Sequence, residues 1–108
     1  MIRGFIIFSI LLGIVEPVIA GTFRTTATHY SDYYNGRRMK NGSKFTQNSN
    51  YVAHPWLKLG TRVTVRYKNR SVTGVVTDRC NCTIDLSKGL FRQLAPLKKG
   101  RISVKVSY

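Results

Sequence analysis

Acid is what this chain has least of. Four carboxylate side chains (Glu16, Asp32, Asp78 and Asp85) stand against 18 lysines and arginines in 108 residues, a formal charge of +14. Chemistry that needs a carboxyl therefore has few places to go. Cysteine is equally scarce, and two residues exclude a multi-disulfide scaffold or a four-cysteine zinc site. The two histidines form no H-x-x-x-H pair, so no metal is expected. The G-x-S-x-G elbow of serine hydrolases is missing as well. Length excludes a two-domain enzyme, a Rossmann or barrel oxidoreductase and any large cofactor platform, so no cofactor is expected either. With 43% hydrophobic and 11% aromatic residues, the chain is not a disordered polybasic tail. One small, folded, strongly basic domain remains.

Residues 1–20 read as a secretory signal peptide. Arg3 supplies the positive start, Phe5 to Val15 is an apolar stretch broken by Ser9 and Gly13, and Glu16-Pro17 ends it. Val18-Ile19-Ala20 offers small or aliphatic residues at a cleavage site after Ala20. The run is too short to span a bilayer, which takes about 18 or more apolar residues. Cleavage would leave residues 21–108, exported to the periplasm or the extracellular space with no stable membrane anchor and expected to be monomeric. Arg3 and Glu16 leave together, so the net charge is unchanged. A protein so charged is drawn first to anionic surfaces, because long-range attraction does not distinguish between polyanions.

Alternation dominates residues 21–108. In Thr61 to Lys68, Val63, Val65 and Tyr67 alternate with Arg62, Thr64, Arg66 and Lys68, the period-2 pattern of a half-buried strand. A turn around Asn69 and Arg70 leads into Ser71–Thr77 and makes a hairpin. Ile102, Val104 and Val106 mark a C-terminal strand, and Thr22–Tyr30 a first one. Ser87 can cap a short helix whose apolar face is Leu90, Phe91 and Leu94, with Pro96 stopping it. Ser31–Ser49, with turns at Asn35-Gly36 and Asn41-Gly42, reads as long loops over a barrel mouth. About six short strands with one or two helices predict a mainly β, small closed barrel, since closure removes exposed edges.

Asp78 ends a β-run and opens Asp78-Arg79-Cys80-Asn81-Cys82; it is either a functional carboxyl or the partner of one of the many cations. Asp85, just before the helix, is expected to be structural, accepting backbone N–H bonds in the loop or at the helix start. His54, beside Trp56, has the look of a hydrogen-bonded packing residue. Cys80 and Cys82 flank one residue and leave three options: a strained local disulfide, two buried thiols or an intermolecular bridge. The local disulfide is favoured. Tyr30, Tyr33, Tyr34, Phe45, Tyr51 and Trp56 cluster among Arg37, Arg38, Lys40 and Lys44. They could stack on sugars or bases, and about half should instead fill the core.

Five segments in order carry a resemblance: A-T-H-Y-S (27–31), Y-N-G-R-R-M-K-N-G-S-K-F (34–45), Y-V-A-H-P-W-L-K-L-G-T (51–61), V-T-D-R-C (76–80) and I-D-L-S (84–87). From Ala27 to Val106 the chain resembles the RlpA-like (rare lipoprotein A) family, with barwin-like and expansin-like proteins its nearest relatives. The resemblance implies a six-stranded double-psi β-barrel and a periplasmic lytic transglycosylase, a lyase preferring peptidoglycan strands stripped of their peptides. It puts the family's D-R-G aspartate on Asp78, its histidine on His54 and its I-D-L-S aspartate on Asp85. The expected catalytic residues are Asp78 and His54; Tyr30, Tyr34, Trp56 and Arg79 are expected to touch glycan. Where the family has N-G-E, this chain has Asn41-Gly42-Ser43, and Cys80 stands where the family has glycine.

A transglycosylase of this kind needs only one acid/base group. The acid protonates the glycosidic oxygen, and the sugar's own 6-hydroxyl replaces water as nucleophile, a large proximity advantage. An ordinary glycosidase needs two carboxylates. Burial must keep the acid protonated against the surrounding positive charge, and Arg79 must then point away from Asp78. The expected partner is the peptidoglycan glycan strand, with no specific nucleic acid. Two other readings are a non-catalytic expansin-like wall-binding module and a cationic binder of nucleic acid or membrane.

Overall fold

The computed structural model describes residues 19–108; the leader predicted over residues 1–20 lies outside them except for Ile19 and Ala20. Six strands follow in chain order: β1 (Thr22–His29), β2 (Tyr51–Ala53), β3 (Arg62–Tyr67), β4 (Arg70–Asp78), β5 (Ile84–Leu86) and β6 (Ile102–Ser107). One helix, α1 (Lys88–Leu94), lies between β5 and β6, and single 3-10 turns occupy Asp32–Tyr34 and Leu97–Lys99. The strands close into a barrel in the order β1-β5-β2-β4-β3-β6. Two pairings, β1 with β5 and β2 with β4, are parallel, and the others are antiparallel. This is the double-psi architecture that the resemblance implies.

Alternation sets the walls. Val63 and Val65 of β3 and Ile102, Val104 and Val106 of β6 turn inward and are buried, while the Arg, Lys, Thr and Ser between them are exposed or half-buried. Their core is completed by α1, which buries Leu90, Phe91 and Leu94. The Ser87 hydroxyl caps the helix by accepting from Leu90 N–H at 3.2 Å, as expected of a serine at this position. Both β2 and the helix lie close to β4 because position 74 is glycine: a Cβ there would stand 2.7 Å from Val52 Cγ2, 2.9 Å from the Asn50 carbonyl and 3.0 Å from Leu90 Cδ1.

The β3–β4 hairpin turns earlier than the sequence predicts. Tyr67 already pairs with Arg70, so the loop is Lys68-Asn69. Lys68 enters the left-handed region (φ 55°), which permits the two-residue turn and pulls Arg70 into the strand.

The long loop after β1 has its own small core. Tyr30, Met39, Phe45 and Ala53 form a second buried cluster, with the Tyr30 and Phe45 rings stacked at 3.9 Å. A tight antiparallel bridge between Arg38 and Lys44 folds the loop back on itself. Half of the six clustered aromatics stay exposed: Tyr33, Tyr34 and Trp56.

Candidate functional site

A break in strand register builds the site. Val52 of β2 pairs with Val76 of β4, but the next residue, Ala53, pairs with Asp78, so Thr77 is skipped. Such bulges re-aim a side chain; here Thr77 turns into the interior and Asp78 comes opposite Ala53. On its other edge Ala53 pairs with Asp85 of β5, and Asp85 pairs with Thr28 of β1. Thr28, Asp85, Ala53 and Asp78 thus form one row across four adjacent strands, with the small alanine between the two carboxyls. At the usual strand spacing the two aspartate Cα atoms are about 10 Å apart. Both line a groove of about 370 Å³ with Tyr30, Tyr34 and Arg79, and the Cys80–Cys82 loop runs along its rim. A larger depression of about 520 Å³ over Asn48–Asn50 and Gln93 carries no ionisable side chain.

Asp78 is held by three donors. Its Oδ1 accepts from the backbone N–H groups of Lys40 (2.8 Å) and Arg79 (2.9 Å), and its Oδ2 from the Tyr30 hydroxyl (2.8 Å). Oδ2, with a single donor, has the capacity for one more partner. Tyr30, expected to touch substrate, is largely buried in the groove wall, and its hydroxyl fixes this carboxyl. Burial, and then its bond to Asp78, push the phenol pKa upward, so it remains a donor. No cation pairs with Asp78: among the described residues the one ion pair is Lys88 Nζ–Asp32 Oδ1 at 2.9 Å.

Asp85 has a different environment. It accepts from the Thr28 hydroxyl at 3.1 Å, and the helix-capping work falls to Ser87 rather than to Asp85. Burial raises its pKa above the ordinary 3.8; the Thr28 bond and His29 oppose the shift, and Asp78 adds to it. A residue expected to be structural is thus the carboxyl whose surroundings favour keeping a proton.

The His54 imidazole does not meet Asp78. Only its backbone N–H reaches that residue, at the Asp78 carbonyl (3.2 Å). The buried ring turns to its own loop, where Nδ1 accepts from Trp56 N–H (3.2 Å) and Leu57 N–H (3.0 Å). Those two donors require Nδ1 to be unprotonated, and desolvation followed by the Arg79 charge lowers the pKa from 6.5. The physical reason is local: at the start of a Pro-Trp turn, a ring acceptor satisfies N–H groups that would otherwise be buried without partners.

The Arg79 guanidinium points away from the Asp78 carboxyl. Its guanidinium donates to the carbonyls of His54 (3.3 Å) and Leu57 and so clamps the same turn. Trp56 is exposed and packs edge-on against His54 and beside Phe23 and Tyr108, outside the groove lining. Of the expected glycan contacts, Tyr30, Tyr34 and Arg79 line the groove, and Tyr34 meets Tyr30 edge-to-face at 5.9 Å.

Ser43 lies in the tip of the folded loop. Its hydroxyl donates to Asn41 Oδ1 at 2.7 Å, and it is not part of the groove lining. Cys80 and Cys82 form a disulfide, the local bridge favoured from the sequence, and no described cysteine is free. Among the described residues no cluster of three His, Cys, Asp or Glu side chains could hold a metal ion, and no helix is long and apolar enough to cross a membrane.

Comparison with known proteins agrees with this fold. Residues 26–106 match the family described as Lytic transglycolase. The uncharacterized protein ssl3177 of Synechocystis is 45% identical over 84 residues, covering 76% of this chain and 93% of that protein. The endolytic peptidoglycan transglycosylase RlpA of Campylobacter jejuni is 35% identical over 86 residues, 74% of this chain. Only 31% of that protein is covered, so the chain spans about a third of its length. Among solved structures, the Streptomyces papain inhibitor superposes with a TM-score of 0.69 at 27% identity, over 82% of this chain and 94% of its own. A variant of the Clavibacter michiganensis expansin, in complex with cellohexaose, gives a TM-score of 0.64 at 23% identity. It covers 82% of this chain and 50% of that one, a likeness of fold.

Proposed function

The chain belongs to the lytic transglycolase family of double-psi β-barrels, and from that premise we propose that it cleaves peptidoglycan glycan strands to 1,6-anhydromuramyl ends. The observation that carries this reading is the pair of unlike carboxyls in one groove: Asp85, half-buried and with its pKa raised by desolvation, and Asp78, bound by three donors. A carboxyl whose surroundings favour its proton can serve as a general acid.

In the proposed reaction Asp85, rather than Asp78, is the proton donor. Its proton passes to the glycosidic oxygen as the bond to the muramyl anomeric carbon breaks. The 6-hydroxyl oxygen of the same sugar bonds to that carbon, and its proton returns to the Asp85 carboxylate. No water is consumed, and the enzyme ends as it began. Asp78, fixed by Tyr30 and two backbone N–H groups, stabilises the positive charge that develops on the ring. Tyr34 on the groove wall offers a face for a sugar ring. His54 and Arg79 are positioning residues that hold the loop after β2. The preferred substrate is a strand without stem peptides, and the working location is the periplasm or cell exterior.

The alternative is a glycan-binding module without catalysis. Ser43, a hydroxyl turned into its own loop where the family has a carboxyl, supports it. The test is to incubate the protein with purified peptidoglycan, intact and amidase-stripped. Soluble anhydro-ended fragments support the enzyme; retention on the wall at high salt with no fragments supports the module.

A further inference from the structure

The outer wall opposite the groove has an arrangement that stability alone does not favour. Arg24 of β1 pairs with Lys105 of β6, and Lys105 pairs with Arg66 of β3. All three are exposed, so three cations stand in a straight row across adjacent strands. Neighbouring strands are about 4.8 Å apart, and like charges directly opposite one another destabilise a sheet. Among the described residues no acid relieves them. Asp32 pairs with Lys88, and Asp78 and Asp85 line the groove. In the barrel order β6 stands three strands from β2, so Lys105 and Ala53 occupy opposite walls.

Lys68 adds to the arrangement. Among the described residues it is the only non-glycine with a positive φ, a hairpin position where glycine would be relaxed. Its side chain helps line a shallow basin of about 300 Å³ with Arg24, Arg66, Ser103 and Lys105. A second basin, shared through Lys68, continues the positive surface to Arg70, Arg92 and Lys99. Beside the cations runs a row of hydroxyls: Thr22 pairs with Ser107, Ser107 with Thr64, and Thr64 with Thr73. The outward positions of β1, β6 and β3 here are Thr, Ser, Arg and Lys, with no aromatic ring.

We propose that this wall binds a linear polymer of polyol or sugar units joined by phosphodiesters, leaving the groove on the opposite wall free. The aligned cations match regularly spaced phosphates, and the hydroxyl row suits the polyol or sugar between them. Nucleic acid carries the same phosphates, but single strands are held largely by stacking on successive aromatic side chains; the cation row has none, and the one ring of the adjoining basin, Tyr67, lies under the Lys68 ammonium at 5.2 Å. The inference is independent of whether the groove cleaves glycan.

The experiment measures binding of the full chain to synthetic poly(glycerol phosphate), single-stranded DNA with the same number of phosphates, and an uncharged chitin oligosaccharide, over a series of salt concentrations. The row variant Arg24→Gln/Arg66→Gln/Lys105→Gln should weaken glycerol-phosphate binding at least tenfold and lower the salt slope by about 2. The control Lys44→Gln/Lys58→Gln/Lys98→Gln removes equal charge from other exposed positions and should change binding less than about twofold, because screening limits their reach. Lys68→Gly should weaken binding while raising the urea midpoint, which a purely structural lysine would not do. Equal losses in both triple variants, tighter binding to DNA than to poly(glycerol phosphate), or no binding by the wild type at physiological salt would each overturn the proposal. The urea midpoint of each variant verifies folding.

Discussion

Asp78 and Asp85 stand on either side of Ala53, one strand away in each direction, and both line the groove over β2, β4 and β5. The relation depends on the register break at Val52/Ala53, without which Thr77 would oppose Ala53. The two carboxyls share one cleft and differ in what surrounds them, and the account of function rests on that difference.

Asp85 sets a pH dependence of stability. Its folded-state pKa is raised, so the native barrel holds this proton more tightly than the unfolded chain does. The contribution is fully present below the ordinary aspartate value of 3.8 and is lost as pH rises through the folded value. Asp85→Asn should therefore be more stable than the wild type at pH 7, with the difference shrinking on acidification. Urea midpoints at several pH values measure this; a less stable variant at pH 7 would contradict it.

His54 acts with the opposite sign. Its pKa is lowered, so its contribution is present above 6.5 and is lost as pH falls through the folded value. His54→Ala leaves two backbone N–H groups without their acceptor and opens a cavity, a cost of about 2–4 kcal/mol. The variant should also lack the part of the acid-side stability loss that begins near 6.5. Lost glycan cleavage with unchanged stability would point to a role at the substrate instead.

Tyr30→Phe keeps the ring stacked on Phe45 but removes the donor to Asp78 Oδ2. A hydrogen bond to a charged group contributes about 1.5–3 kcal/mol, so the barrel should lose about that much. Cleavage should slow at least about tenfold, through kcat more than KM, because the lost bond orients a group that acts in the transition state. Thermal denaturation and steady-state kinetics on stripped glycan separate the two effects.

Gly74→Ala tests the packing that supports β2. The added methyl meets Val52, the Asn50 carbonyl and Leu90 Cδ1 (3.0 Å), and Asn50 cannot yield without disturbing its bond from Val75 N–H. Overpacking of this kind costs about 1–3 kcal/mol. Chemical denaturation of the single variant is sufficient to measure it.

The barrel walls were legible because β3 and β6 alternate strictly, and α1 because Ser87, Leu90, Phe91 and Leu94 carry a cap and a helical face. The hairpin was misplaced by about one residue because nothing in Lys68 itself announces a left-handed backbone. The cluster of Met39, Phe45 and Tyr30 was also hidden, since a loop's private core has no period. The groove was legible in its members but not in their roles. Asp78 and Asp85 could be picked out as the scarce acids near strand ends. Their common row depends on parallel pairings between strands far apart in sequence and on a one-residue bulge. Tyr30 looked like a sugar platform because its bond to Asp78 spans 48 positions. His54 is expected to be catalytic through the family resemblance, and the hydrogen bonds of its ring, to Trp56 and Leu57, are local.

The most direct measurement is mass spectrometry of the ends released from amidase-stripped glycan strands by the wild type, Asp85→Asn and Asp78→Asn. The account predicts 1,6-anhydromuramyl ends from the wild type, none above background from Asp85→Asn, and a reduced yield from Asp78→Asn. Undiminished anhydro ends from Asp85→Asn, or hydrolysed reducing ends from the wild type, would contradict it.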